Sequence, residues 1–233
     1  MRQEHGSVAG VPAILWGEPA ENVYLFVHGQ GGSKEEAGAF SALVCGRGWQ
    51  VLSIDLPGHG ARAAEAAAFD PWHAVPELQQ VMAHARARWR RVALRANSIG
   101  AWFSLLAFSD QPPARSLFVS PVLDMERLIE TMMRWAGVTQ DRLEREGTIP
   151  TNFGQTLSWE YLQYARRHPV IRWESPTCIL CAAKDELAEP EVAQSFARRF
   201  SCRLTVAGEG EHWFHTPRQL EILAAWEKEH AFQ

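Results

Sequence analysis

Six short runs rich in β-branched, aromatic and other apolar residues recur along the chain: Val23–Val27, Trp49–Ile54, Arg91–Ala96, Ser116–Val119, Thr177–Ala182 and Arg203–Val206. The repeating unit is such a run, a turn often carrying glycine, and an amphipathic stretch of about ten or more residues. Strands that alternate with helices in this way are joined by crossover connections, and crossovers produce parallel neighbours with helices over both faces. The pattern predicts an α/β protein with a doubly wound, mostly parallel sheet. Val8–Trp16 precedes the alternation with no helix after it. With the loop Gly17–Asn22 it predicts a hairpin into Val23, and hence one antiparallel strand.

Helix punctuation follows the same plan. Ser33 and Glu36 have the spacing of a capping box ahead of a helix over Ala37–Cys45, which Gly46 or Gly48 closes. Asp70-Pro71 supplies a cap and a first-turn proline for a helix running towards Trp89, with Pro76 disturbing its early turns. A last helix is expected over Pro217–Glu229. Between Val122 and Pro176 there is no convincing strand, only two helical patterns, Met125–Ala136 and Thr156–Arg167. A structureless loop of that length does not suit a compact domain, so residues 122–176 are expected to form a helical cap insertion. Residues 1–121 and 177–233 then form the core. The apolar residues of the insertion are Met125, Leu128, Ile129, Met132, Met133, Trp135, Phe153, Leu157, Tyr161 and Tyr164. They either bury against the sheet and each other or line a substrate pocket.

Composition narrows the class. With 46 % apolar and 21 % charged residues over 233 positions, the chain is globular and needs neither disulfides nor a structural metal for a core. A formal net charge of −4 lacks the basic footprint of a nucleic-acid binder. The densest basic run, Arg86–Arg91, reads as a solvated helix end whose arginines complement the helix dipole. No apolar h-region follows the first arginine and no apolar run approaches a membrane span, so a soluble cytoplasmic protein is expected. Cys178 and Cys181 have zinc half-site spacing, but no second pair matches them and on a strand their sulfurs face opposite sides.

Chemistry concentrates at Ala96-Asn97-Ser98-Ile99-Gly100, between a strand and an apolar helix. A serine with small residues at −2 and +2 suits a nucleophile elbow, a turn too tight for larger side chains, which lifts the hydroxyl to the positive end of a helix. The usual first glycine is Ala96 here. A second signal is Leu25–Val27 followed by His28-Gly29-Gln30-Gly31-Gly32. The main-chain N–H groups of Gln30 and Ile99 would form a donor pair for a developing oxyanion. The glycine run lacks the spacing of a dinucleotide fingerprint and the Lys-Ser/Thr of a P-loop.

With Asp55-Leu56-Pro57-Gly58-His59-Gly60 added, nearly the whole chain resembles the α/β-hydrolase family in motif order. The resemblance implies that His28 and His59 shape turns and that the order Ser, acid, His holds. It points to Asp185 in Lys184-Asp185-Glu186 as the acid, with Glu186 and Asp124 as alternatives. It also points to His212 as the base, with His215 as the alternative. Histidines 5, 73, 84, 168 and 230 are expected at the surface. Haloalkane dehalogenases and epoxide hydrolases resemble the architecture but place an Asp at the elbow.

The expectation is therefore a serine hydrolase of carboxylic esters, with catalytic Ser98, Asp185 and His212, oxyanion amides from Gln30 and Ile99, no cofactor and no metal. Its substrate is expected to be a small molecule with an apolar acyl or alcohol group. Thioesterase, amidase, peptidase and carbon–carbon hydrolase chemistry use the same triad. A non-catalytic ligand receptor on this fold is the rival from another class.

Overall fold

A computed structural model describes residues 1–232. The strands are β1 (Gln3–Val8), β2 (Val11–Trp16), β3 (Asn22–Val27), β4 (Trp49–Ile54), β5 (Arg91–Asn97), β6 (Ser116–Val119), β7 (Thr148–Pro150), β8 (Thr156–Ser158), β9 (Thr177–Ala182) and β10 (Arg203–Ala207). The helices are α1 (Ala37–Val44), α2 (Pro71–Arg88), α3 (Ser98–Phe108), α4 (Met125–Ala136), α5 (Gln140–Glu146), α6 (Trp159–Arg167), α7 (Pro190–Phe200) and α8 (Pro217–His230). Eight strands form one sheet in the order β1-β2-β4-β3-β5-β6-β9-β10, parallel from β4 to β10. The α/β architecture expected from the alternation is present.

Both faces of the sheet are covered, and β3 shows why its sequence is apolar throughout. Val23, Leu25 and Val27 join the cluster beneath α2, α3 and α7, where Leu78, Phe103 and Phe196 sit. Tyr24 and Phe26 face the opposite cluster, with Phe40 of α1 and Trp226 of α8. A strand buried on both sides cannot alternate apolar and polar residues. The two cysteines of β9 divide in the same way, with Cys181 in the first cluster and Cys178 packed against the second.

The N-terminal expectation needs correction. β2 pairs antiparallel with β4 (Ala13↔Ile54), not with β3, because β4 already lies beside β3 (Leu25↔Leu52). The hairpin is instead β1–β2, closed by Ala9 and Gly10, whose φ values of 52° and 83° fit the twist of a two-residue turn. β1 is exposed along nearly all its length, so it carries no apolar signal. The Ser33–Glu36 capping box does not close through the serine hydroxyl either. Ser33 heads a 3-10 turn, Lys34–Glu36, with no side-chain cap bond, and α1 begins only at Ala37. Asp70 does cap α2, accepting the His73 N–H at 2.9 Å.

The chain leaves the sheet after β6 and returns at β9. This excursion carries α4 where the first helical pattern was read and α6 over most of the second, whose first three residues, Thr156–Ser158, instead form β8 and pair with β7; this ribbon and α5 were not disclosed by the sequence. Met125 and Ile129 of α4 and Leu162 of α6 are buried in the same cluster as α3. One histidine expected at the surface is not there: His230, on α8, is 2 % exposed. Also buried is an ion pair, Arg95 Nε to Glu227 Oε1 at 2.9 Å, linking β5 to α8 across 132 residues.

Candidate active site

β5 ends at Asn97 and α3 starts at Ser98, so a single peptide step turns the chain from sheet to helix. Ser98 absorbs the turn with φ 47°, a left-handed conformation that costs a non-glycine residue about 1–3 kcal/mol. Gly100 is needed two positions on. A Cβ there would lie 2.2 Å from the His28 carbonyl oxygen, so any larger residue would push β3's turn away from the elbow.

Ser98 Oγ lies 2.8 Å from His212 Nε2. His212 Nδ1 in turn lies 2.8 and 3.0 Å from the two oxygens of Asp185. Two backbone N–H groups, of Leu187 and Ala188, also donate to Asp185 Oδ1 at 3.0 and 2.8 Å. These bonds leave the carboxylate one orientation. The loop carrying His212 passes close to β9: a Cβ on Gly210 would meet the Ala182 Cβ at 2.7 Å. A carboxylate fixed against one ring nitrogen selects the tautomer in which Nδ1 carries hydrogen and donates to Asp185. Nε2 is then free to accept a proton from the serine hydroxyl.

The alternatives are placed elsewhere. Asp124 caps α4 by accepting the Arg127 N–H at 3.0 Å, Glu186 is exposed, and His215 Nδ1 lies 2.8 Å from the Trp213 carbonyl. Gln30 and Ile99 line one cavity with Ser98. The Ile99 N–H belongs to the first turn of α3, where a helix offers no acceptor of its own.

Two histidines brace the turn that carries Gln30. His28 Nε2 accepts the Leu56 N–H at 3.0 Å, so its Nδ1–H donates to the Gly29 carbonyl at 2.7 Å. His59 Nε2 accepts the Gly31 N–H at 2.9 Å, and its Nδ1–H donates to the Pro57 carbonyl at 2.8 Å. Asp55, beneath them, binds the Lys34 ammonium at 2.7 Å and the Ala61 N–H at 2.8 Å. Burial pushes its carboxyl up, but the Lys34 and Ala61 donors outweigh this and hold it below the usual carboxylate range.

Burial lowers His28 to about 4, since a charged ring there would lose its water. The folded state therefore resists a proton that the unfolded chain takes up below about pH 6.5. His28 contributes stability above that pH and loses it as pH falls towards 4. Between pH 7 and 5 the loss is expected to be roughly 2 kcal/mol. Urea midpoints at the two values, for wild type and His28→Gln, check this; an equal pH slope in both proteins would contradict it.

The cavity at Ser98 has a volume of about 220 Å³. Its roof comes from the excursion between β6 and β9, chiefly Met125, Leu128, Ile129, Met132, Leu157 and Tyr161. Trp135 and Phe153, also candidates by sequence, are instead exposed and pack edge to face with each other, ring centres 6.0 Å apart. Gln155, in the β7–β8 turn, lines the cavity as well and accepts from Gln30 Nε2 at 3.2 Å. Nothing in the sequence singled it out. Among the described residues no group of His, Cys, Asp and Glu is arranged to hold a metal, and no helix is long and apolar enough to cross a membrane.

A family model described as serine aminopeptidase, S33 matches residues 18–166, more than half the chain. The chain belongs to this α/β-hydrolase family. The matched span includes the His28–Gly32 turn and Ser98 and ends before Asp185 and His212. A comparison with curated proteins returns no match. Among solved structures, Est1E from Butyrivibrio proteoclasticus with ferulic acid bound is similar at a TM-score of 0.79 and 18 % identity, covering 98 % of this chain and 97 % of that one. Alpha/beta hydrolase domain-containing protein 10 from mouse is similar at 0.78 and 14 %, covering 98 % of each chain. A thioesterase domain from the curacin biosynthetic pathway follows at 0.60 and 16 %, covering 97 % of this chain and 99 % of that one. At these identities the likeness is one of fold, with little shared sequence.

Proposed function

We propose that this hydrolase cleaves carboxylic esters through an acyl-enzyme on Ser98. The reading rests on one observation, the unbroken chain Ser98 Oγ, His212 Nε2, His212 Nδ1, Asp185, with each step at 2.8 Å. Ser98 Oγ attacks the carbonyl carbon as His212 Nε2 takes its proton, and Asp185 stabilises the imidazolium. The N–H groups of Gln30 and Ile99 receive the oxyanion. The alcohol then leaves with the proton from His212, and water, activated by the same histidine, releases the acid.

In this reading residues 122–176 act as a cap that shapes the acyl pocket. At about 220 Å³ the cavity is smaller than sites for drug-sized ligands, which suits a small to medium apolar acyl group. An ester is favoured over the N-terminal peptide bond in the family's description. An aminopeptidase must seat a substrate ammonium on the acyl side, and no carboxylate lines this cavity. A fluorophosphonate probe is expected to label one residue, Ser98, mapped by peptide mass spectrometry. A mark on any other residue would overturn the assignment.

A further inference from the structure

The turn after β3 reads Gly29-Gln30-Gly31-Gly32, so Gln30 carries the one side chain by which it can be gripped. Its neighbours cannot carry one without strain. A Cβ on Gly29 would meet the Ser98 Cβ at 3.0 Å, and Gly31 has φ 76°. From the sheet side, His28 and His59 hold the Gly29 carbonyl and the Gly31 N–H. The Gly29–Gln30 peptide is planar and trans, so fixing that carbonyl aims the Gln30 N–H the opposite way. The histidines set the plane of this peptide and leave the Gln30 side chain to be held from elsewhere.

It is held from the excursion between β6 and β9. Gln30 Nε2 donates to Gln155 Oε1 at 3.2 Å, a contact across 125 residues. Gln155 is itself firmly mounted. Its carbonyl accepts from the Thr151 N–H at 2.9 Å and from the Thr151 hydroxyl at 2.6 Å, which closes the turn between β7 and β8. At the base of that turn Ile149 pairs with Leu157, and the two are 6 % and 1 % exposed in the cluster that packs under α3. A continuous set of contacts therefore runs from the buried core through β8 and Gln155 to the tip of the Gln30 turn. Both glutamines line the apolar cavity with Ser98.

We propose that Gln155 is a positioning residue for ester hydrolysis: its amide oxygen holds the Gln30 side chain and so keeps the Gln30 N–H on the developing oxyanion. The inference rests on the ester hydrolase reading and gives that site a residue that acts through Gln30. An oxyanion donor helps only when its hydrogen lies where the charge develops, and a small displacement is costly. A turn rich in glycine resists displacement poorly, so a grip on its one side chain counts. The bond joins two neutral amides in contact with water, which sets the scale of the effect at severalfold. The donor acts on the transition state, so losing its alignment lowers kcat and kcat/KM together and leaves KM as it was.

Methionine matches glutamine in length and lacks its amide, so Gln155→Met and Gln30→Met each delete the bond with little change in volume. With para-nitrophenyl butanoate, each is expected to lower kcat about three- to tenfold and to leave KM within about twofold. The double variant should be no slower than the slower single one, because both deletions remove the same bond. A fluorophosphonate should label Ser98 more slowly by a similar factor, since its phosphonyl oxygen meets the same donors. An unchanged kcat, deficits that multiply in the double variant, or an unchanged labelling rate would overturn the positioning role. So would a KM that rises at constant kcat, which would make Gln155 a wall of the acyl pocket and nothing more. A wild type that neither turns over the ester nor labels at Ser98 would remove the underlying hydrolase reading instead.

Discussion

Ser98→Ala is expected to lower kcat for a short-chain aryl ester by about 10⁴–10⁶-fold, because the covalent route disappears and only binding and the oxyanion donors remain. The fold should survive. Alanine keeps the left-handed backbone at φ 47° and removes one oxygen whose contact is His212. Ser98→Gly is equally inactive but reports on something else. Glycine adopts positive φ without a Cβ penalty, so this variant should be about 1 kcal/mol more stable than Ser98→Ala once the greater freedom of its unfolded chain is counted. Steady-state kinetics and urea unfolding on the same preparations measure both effects. Residual turnover above about a hundredth of wild type in Ser98→Ala would place the nucleophile elsewhere. Equal stability of the two variants would mean that the elbow stores no strain.

Glu227→Ala is expected to cost about 3–5 kcal/mol. The Arg95 and Glu227 side chains are 2 % and 7 % exposed, so removing the carboxylate leaves a buried guanidinium without its counter-charge. Exchanging both partners for apolar residues of similar size, Arg95→Met with Glu227→Leu, should cost less than Glu227→Ala, since no charge is then stranded. A destabilisation below about 1 kcal/mol in Glu227→Ala, read from urea midpoints, would show that water reaches the pair. The pair also holds the elbow: Arg95 grips the Asn97 amide next to Ser98, and Glu227 lies on the helix that follows the His212 loop. Part of the loss should therefore appear as a lower kcat.

What the sequence made legible was what tight geometry imposes on residue type. Gly100 is small because the His28 carbonyl lies where its Cβ would be, and Gly210 because Ala182 does. Such constraints leave a local mark around Ser98 and His212. Long strands buried on both faces leave another. The β1 edge strand left none, since all its residues but Val8 meet water and give it no apolar face. Nor could the partner of β2 be read locally, because whether β3 or β4 lies beside it is decided by the whole sheet. The three-residue strands β7 and β8 are too short to show a period, so Gln155 between them went unnoticed. Arg95 is the hardest case. An arginine inside a central strand becomes intelligible only through a carboxylate 132 residues away.

The excursion between β6 and β9 has a consequence for how the chain can vary. It leaves β6 at Val119 and enters the neighbouring parallel strand β9 at Thr177, so any segment long enough to cross from one end of the sheet to the other closes it. Doubling such a loop adds only about 0.6 kcal/mol of closure entropy. Insertions and deletions there are energetically mild compared with a change at Gly100 or Arg95. The roof of the apolar cavity is thus the part of this molecule freest to diverge, and on the proposed esterase reading the acyl groups it admits would change while the elbow beneath stays as it is.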